Sequence, residues 1–193
     1  MTLVLASSSA IRRAMLEAAG IEHQTEAPDV DEAALKADCG DPAALAVELA
    51  GAKAAAVSAR RPDDWVIGSD SIVSVDGRMF DKPSDRGQAA EHLRLFSGRQ
   101  MQLTSAVALA RGGDVDWSHC QSATLAVRAL SEEFIAGYLE REWPAVSNCV
   151  GVFRLEGPGV QLFESIEGDH FTVLGMPLLP LLGALRERGL VAA

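Results

Sequence analysis

The sequence predicts an α/β fold, because short apolar runs typical of strands alternate with segments of helical periodicity. Residues 3–6 form an apolar run that fits a buried strand. The next segment places apolar side chains at the i, i+3, i+4 and i+7 spacing of one helix face, namely Ile11, Ala14, Met15 and Ala18. With 193 residues, 48% of them hydrophobic, we expect one domain over 1–193, with two lobes that share one core.

Capping and turn residues bound the elements of the first half. Gly20 ends the first helix, and Asp41 before Pro42 begins the next one. Asp76-Gly77 is a hairpin signal. The predicted elements are helices over 10–19 and 42–59 and one or two strands over 65–75.

The second half continues the alternation. Asp85, with Gln88 three residues later, and Ser131 are the capping residues of two helices, and Gly112-Gly113 joins two strands. The predicted elements are helices over 86–98, 131–141 and 177–189, strands over 101–110 and 115–127, and a β-like segment over 150–166 with a turn at 157–159.

Charge and composition exclude several classes of protein. Twenty-seven acidic against seventeen basic residues give a net charge of −10, which argues against a general nucleic-acid binder. The three cysteines are widely spaced without a CxxC pair, which argues against structural zinc. The apolar stretch 171–185 is interrupted by Gly and Pro, and no basic segment precedes the apolar N-terminus. We therefore expect a cytoplasmic protein that binds neither nucleic acid nor membrane.

A first candidate site lies at the start of the first helix, in Ser7-Ser-Ser-Ala-Ile-Arg-Arg13. The free N–H groups and partial positive charge of a helix start attract anions, and arginine binds phosphate through two parallel hydrogen bonds. The alternative is a serine-capped helix with two solvated arginines.

Asp70 is a second candidate, because a carboxylate inside an apolar β run is costly unless it is paired or binds a metal. It would be a general base or a metal ligand, or only a residue of a bulge or strand end. Glu32 could bind a divalent ion, or it could complete a capping box that Asp29 opens.

Two lysines complete the candidate set. Lys53 falls near the apolar face of its helix, so it either points into a cleft or extends its amine to solvent. Lys82 precedes Pro83, which holds it extended, although it could be an ordinary loop lysine. Together these acids and bases fit a phosphate-handling site, because phosphoryl transfer needs cations for its charge and an acid to hold a metal or activate water.

In this order, the motifs resemble the Maf family of nucleotide pyrophosphatases over nearly the whole chain. The matching segments are LVLASSSAIRRAML at the start, PDVDE at 28–32, ELAGAKA at 48–54, VIGSDSIV at 66–73, DKP at 81–83, FSGR at 96–99 and IEGDHFTVLGMPL at 166–178.

The resemblance implies a fold like that of Maf proteins and ITPases, with a mixed twisted sheet, flanking helices and two lobes around a central cleft. It implies hydrolysis of a nucleoside triphosphate to a monophosphate and pyrophosphate with Mg²⁺ or Mn²⁺, and a homodimer as a family-level expectation. The implied catalytic residues are Asp70, Lys53 and Lys82, and the implied metal ligands are Glu32 and Asp70. The implied substrate-binding residues are Ser9, Ile11, Arg12, Arg13 and Ser71.

One departure from the main branch concerns the base. Glu156 stands where glutamine is usual, which resembles the branch that prefers 7-methyl-GTP. A carboxylate can accept two hydrogen bonds from guanine and complements the positive charge of the methylated ring. Ile11 stands where that branch tends to have an aromatic residue that would stack on the base. Ser71 and Ser105 replace the usual Thr and Gly, and Ala10 the usual proline.

Three other functions stay open at this point. One is hydrolysis of ordinary pyrimidine triphosphates such as dTTP or UTP. Another is a nucleotide-binding regulator of cell division with little catalysis. A structural or interaction module is the third, and it predicts an exposed apolar stripe that the sequence does not show.

Overall fold

Seven strands form one mixed sheet in the computed structural model, which describes residues 2–192 apart from the side chain of Asp38. The strand order is β2-β1-β3-β5-β6-β7, with β4 paired to β3. The strands are β1 Leu3–Ala6, β2 Gln24–Glu26, β3 Trp65–Val75, β4 Arg78–Phe80, β5 Gln100–Arg111, β6 Asp114–Val127 and β7 Phe163–Glu167.

Seven α-helices accompany the strands within residues 2–192. They are α1 Ala10–Ala18, α2 Glu32–Asp38, α3 Pro42–Arg60, α4 Arg86–Phe96, α5 Glu132–Glu142, α6 His170–Leu174 and α7 Leu178–Glu187, and short 3₁₀ turns cover Ala145–Asn148 and Pro158–Leu162. The prediction of an α/β fold with a mixed sheet and flanking helices is confirmed.

The sheet is parallel at one end and antiparallel at the other. Strand β1 pairs in parallel with β2 and β3, so that Leu5 lies opposite both Thr25 and Ile67. Strands β3 and β4 form the predicted hairpin about Asp76-Gly77, and β7 pairs antiparallel with β6. Helices connect the parallel strands, as a parallel crossover requires.

The chain divides into two compact units, and the boundaries fall within β3, β5 and β6. The first unit contains the chain up to Ser71, Thr104–Gln121, and the chain from Asp169 onward; the second contains Ile72–Leu103 and Ser122–Gly168. The expectation of a single domain with two lobes stays a prediction.

Each unit has its own apolar contacts. In the first, side chains of β1, α1, β3, β5 and α7 form one buried cluster, whose members include Leu5, Leu16, Ile67, Leu109, Leu181 and Leu185. In the second, the Phe80 ring meets those of Phe96 and His92 edge to face at 4.9 and 5.3 Å between centroids.

Helix α3 packs directly on β3 at Gly68. A Cβ atom at this position would overlap the backbone of Ala50 and Ala54, so glycine is required for the approach. Ala50 and Ala54 are themselves fully buried, and their small side chains let the helix lie against the strand. This contact fixes the spacing between α3 and β3. It therefore also fixes the spacing between side chains one turn further along the helix and those two residues further along the strand.

Helix α3 is also long and apolar enough to cross a membrane, with a mean hydropathy of 1.2. Within residues 2–192 it is the one helix that meets these criteria. Nine of its residues are buried, among them Leu45, Leu49 and Val57. A core helix passes the same test, so its length and composition are weak evidence of a membrane span.

Hydrogen bonds confirm three of the predicted helix caps. The Asp41, Asp85 and Ser131 side chains accept from the backbone N–H groups of Ala44, Gln88 and Phe134.

Three short elements escaped prediction, because β2, α2 and α6 have only three, seven and five residues and show too little periodicity. The β-like segment over 150–166 is wrong for most of its length. Only β7 is a strand, since close packing at Gly159 against the Arg154 backbone curls the chain into turns.

Gly68→Ala should lower the free energy of unfolding by about 3 kcal/mol or more, because the added methyl group collides with backbone rather than with a movable side chain. Urea denaturation measures this change. Gly51→Ala is the matched control, since its Cβ would meet only Val115, at 3.5 Å, and alanine favours a helix interior by about 1 kcal/mol. Equal stability of the two variants would contradict the close approach at Gly68.

Candidate active site

Lys53 lies between two carboxylates in the first unit. Its Nζ is 2.5 Å from Asp70 Oδ1 and 2.7 Å from Glu32 Oε1. Helix α3 supplies the lysine, β3 supplies Asp70, and the first residue of α2 is Glu32. The side chain is buried, so it points inward, and the alternative in which it extends to solvent is wrong.

The position of Asp70 follows from the packing at Gly68. Side chains two residues apart in a strand share a face, so Asp70 lies on the same face of β3 as Gly68, against α3. Asp70 is 9% exposed, and a carboxylate so buried is costly unless it is paired. The Lys53 ammonium supplies that pairing.

Glu32 is not the capping-box residue of the alternative interpretation. The N-cap of α2 is Asp31, whose Oδ1 accepts from the Ala34 N–H at 3.2 Å, and Asp29 takes no part in the cap. The Glu32 carboxylate instead contacts Lys53, and Lys36 lies 3.8 Å from its other oxygen.

Arg12 of α1 lies near the same carboxylates and is fixed by two hydrogen bonds. Its Nε donates to the Gly175 carbonyl oxygen at 2.9 Å, and its Nη2 donates to Ser71 Oγ at 3.1 Å. Burial lowers the pKa of Arg12, while the charges of Asp70 and Glu32 raise it. Arginine remains a cation in proteins, so a fixed positive charge faces the pair of acids.

The helix start before Arg12 has the features of an anion site. Ser9 is the N-cap of α1 and its side chain makes no capping hydrogen bond, while its backbone N–H donates to Ser7 Oγ at 3.1 Å. Arg13 is exposed, with Glu17 at 3.8 Å. Ile11 packs against the buried cluster of the first unit. The first N–H groups of a helix have no partner within it.

Lys82 and Glu156 belong to the second unit, and both are exposed. Each is close enough to the Cys149 thiol to affect its pKa, which is raised to about 11, chiefly by burial. The charge of Glu156 contributes to this rise in the pKa, and the charge of Lys82 opposes it. The predicted base-binding and phosphate-binding residues of this unit therefore share one neighbourhood.

The structure thus brings together Arg12, Glu32, Lys53, Asp70 and Ser71 in the first unit. Sequence reasoning missed Gly175, whose carbonyl oxygen holds Arg12. Its φ of +106° marks a helix end, which the glycine after a short apolar segment could have indicated. Sequence reasoning also missed Ser69, whose buried hydroxyl has one proton for two acceptors, the Ala106 and Gly175 carbonyl oxygens at 2.8 and 3.0 Å.

Glu32 and Asp70 are the two carboxylates that could hold a divalent cation together with phosphate. Among the described residues, no three His, Cys, Asp or Glu side chains form a cluster that could hold a metal. Glu32 and Asp70 nevertheless converge on one point, where the Lys53 ammonium lies. Mg²⁺ is typically held by one or two carboxylates together with substrate phosphates.

Fold and site together define an α/β protein in which acids and bases from separate elements converge on a buried lysine–aspartate pair. Comparison with known families then identifies the family. The sequence profile of the Maf-like proteins matches residues 2–188. The chain belongs to the Maf-like family.

Named relatives cover almost the entire chain. It is 48% identical over 193 residues to the 7-methyl-GTP pyrophosphatase of Rhizobium etli, covering 98% of this chain and 97% of the relative. It is 45% identical over 197 residues to the nucleoside triphosphate pyrophosphatase of Gluconobacter oxydans, covering 100% and 97%. A solved nucleoside-triphosphatase (dITP/XTP pyrophosphatase) of Mycobacterium abscessus matches with a TM-score of 0.41 and 18% identity, covering 66% of this chain and 73% of that one.

Lys53→Met should lower the free energy of unfolding by about 2 kcal/mol, because it removes the ammonium group that contacts both carboxylates. The loss falls below the 3–5 kcal/mol typical of a fully buried pair, since the Glu32 side chain is 43% exposed. The loss should shrink when Asp70→Asn is already present, and urea denaturation of the double-mutant cycle measures this coupling.

Lys36→Met is the control for this cycle, because its amine contacts Glu32 at 3.8 Å from a more exposed position. It should change stability by less than about 0.5 kcal/mol. Strictly additive losses for Lys53→Met and Asp70→Asn would contradict the ion pair.

Proposed function

We propose that this chain, a Maf-like nucleoside triphosphate pyrophosphatase, releases pyrophosphate in a reaction that depends on Mg²⁺ or Mn²⁺, and that it prefers 7-methyl-GTP. The observation that carries the proposal is the convergence of Asp70 and Glu32 on Lys53 beside the fixed guanidinium of Arg12. Removal of modified nucleotides before they enter nucleic acid would be the cellular role.

The phosphate tail would lie at the start of α1. Arg12 presents a half-buried, oriented guanidinium there, and Ser9 has a hydroxyl that capping does not use. Arg13 is exposed on the same turn and could extend the contacts to solvent-facing phosphate oxygens. Cations and helix N–H groups stabilise the charge that develops as phosphorus is attacked. Lys82, in the second unit, stays a predicted catalytic residue.

Asp70 is the proposed proton acceptor for the attacking water. Lys53 engages its Oδ1, which leaves Oδ2 to accept the water proton as oxygen bonds to phosphorus and pyrophosphate leaves. The three N–H donors of a lysine allow Lys53 to hold both carboxylates and still donate to a phosphate oxygen. Lys53 would thereby orient the base and bind the substrate at once.

A divalent ion would be held by Glu32 and Asp70 with the phosphates. When bound, it withdraws charge from the phosphate oxygens and makes the phosphorus easier to attack. Its charge would also compensate the negative charge that these two acids and the substrate share.

Glu156 is the proposed reader of the base. Its carboxylate could accept from the two N–H groups on the guanine edge, and the cationic ring of 7-methylguanine would strengthen these bonds. Neighbouring Arg154 directs its Nε and Nη2 donors to Glu142 Oε2, at 3.0 and 2.8 Å. The relatives named as 7-methyl-GTP pyrophosphatases support this preference.

A panel of ordinary and methylated triphosphates, each assayed for pyrophosphate release with Mg²⁺, Mn²⁺ or EDTA, tests the function. We expect release that EDTA abolishes and the highest kcat/KM for 7-methyl-GTP. A higher kcat/KM for dTTP or UTP would instead support the ordinary pyrimidine activity. Tight nucleotide binding without release of pyrophosphate would favour a regulator.

Asp70→Asn should lower kcat about 100- to 10,000-fold, because the amide cannot accept the proton and general-base catalysis contributes about that factor. Steady-state kinetics measure the loss, and thermal unfolding shows whether the variant is folded. Asp63→Asn, at an exposed aspartate of the same unit, should keep the wild-type rate. A folded Asp70→Asn variant with unchanged kcat would overturn the assignment.

Glu156→Gln should lower the ratio of kcat/KM for 7-methyl-GTP to that for GTP by about 10-fold, the difference between charge-assisted and neutral hydrogen bonds. Glu164→Gln is the control, because Glu164 is an exposed glutamate of the same unit. If the ratio stays constant in Glu156→Gln, the carboxylate does not read the base.

A further inference from the structure

We propose that Ser105, together with the carbonyl groups at the end of α6, is a positioning residue that orients the Arg12 guanidinium for the phosphate tail. The proposal rests on the phosphate-binding role of Arg12 proposed above. Ser105 lies on β5 and is fully buried. It reaches Arg12 only through a second hydroxyl, that of Ser71.

The hydrogen bonds form a chain with one direction. Arg12 Nη2 is 3.1 Å from Ser71 Oγ, which is 2.8 Å from Ser105 Oγ, which in turn is 2.9 Å from the Thr172 carbonyl oxygen. A guanidinium can only donate and a carbonyl can only accept, while each hydroxyl has a single proton. All three contacts are made together only when the protons point from Arg12 through Ser71 and Ser105 to Thr172.

The direction of these hydrogen bonds determines what Ser105 contributes. With its own proton committed to Thr172, Ser105 offers a lone pair to the Ser71 hydroxyl, and that hydroxyl then turns its lone pairs toward Arg12. Without Ser105, the Ser71 proton has only the longer contact to the Gly175 carbonyl oxygen, at 3.2 Å. Bonds in such a chain polarise one another and strengthen together.

The Gly175 carbonyl is the second fixed point for Arg12. It accepts from Arg12 Nε at 2.9 Å and from Ser69 Oγ at 3.0 Å. A Cβ at residue 175 would lie 3.2 Å from Ser71 Oγ and 3.7 Å from the Arg12 guanidinium. Only glycine therefore fits both the φ of +106° and the space beside these groups.

Helix α6 is itself capped at its start, and this cap holds Thr172, on whose carbonyl the chain of hydrogen bonds ends. Asp169 caps this helix by accepting from the Thr172 N–H at 3.0 Å, and the Thr172 side chain is fully buried. The two bonds to Arg12 use one face of the guanidinium, through Nε and one Nη2 hydrogen. Neither bond uses Nη1, so its two hydrogens would be the ones that bind a phosphate oxygen.

The test is a double-mutant cycle with two readouts. The first is kcat/KM for 7-methyl-GTP, and the second is the calorimetric affinity for inorganic tripolyphosphate, which needs no turnover. Ser105→Ala should weaken both by about 3- to 10-fold, the value of one hydrogen bond. In an Arg12→Ala background, Ser105→Ala should change neither, because the residue through which it acts is gone.

Ser58→Ala is the control, since Ser58 is a fully buried serine of the same unit whose hydroxyl bonds Ala55 and Gly113. It should leave both readouts unchanged. Gly175→Ala is a second variant, and it should weaken tripolyphosphate binding at least as much as Ser105→Ala.

Two outcomes would overturn the positioning role of Ser105 and leave the phosphate role of Arg12 intact. In the first, Ser105→Ala has no effect although Arg12→Ala weakens binding. In the second, the effects of the two substitutions are additive. If Arg12→Ala itself leaves tripolyphosphate affinity unchanged, the proposed phosphate role of Arg12 fails first, and the positioning role fails with it.

Discussion

The close approach of α3 to β3 at Gly68 is the constraint on which the first unit depends. Because a glycine and two buried alanines meet there, a lysine one helix turn beyond Leu49 reaches the carboxylate two residues beyond Gly68. The stabilising burial of α3 and the placement of Lys53 against Asp70 have the same origin. A bulkier contact would separate the helix and the strand and pull the ion pair apart.

Strand β3 has a different role on each of its faces. Gly68 and Asp70 face α3, while Ser69 and Ser71 bond to Gly175, Ala106 and Ser105. One strand thus supplies the proposed base on one face and, on the other, the support of the arginine proposed to bind phosphate. Alternation along a strand therefore places the proposed proton acceptor and the serines that support Arg12 on opposite faces, although they are consecutive residues.

Much of the fold and part of the site followed from local signals. Caps at Asp41, Asp85 and Ser131 and the hairpin at Asp76-Gly77 are short-range features that a sequence displays directly. The inward direction of Lys53 could not be predicted from the sequence, because it depends on how closely α3 approaches β3. Gly68 is the one local indication of that approach. Ser105 and Gly175 were missed as site residues for the same reason: their roles arise from hydrogen bonds to residues far away in the chain.

The most direct test of the account is a crystal structure with Mn²⁺ and a non-hydrolysable triphosphate analogue, in which anomalous scattering locates the metal. The account predicts manganese on Glu32 and Asp70, with phosphate oxygens on Arg12 Nη1 and at the start of α1. Phosphates bound away from Arg12, with Lys53, Asp70 and Glu32 untouched by either ligand, would contradict it.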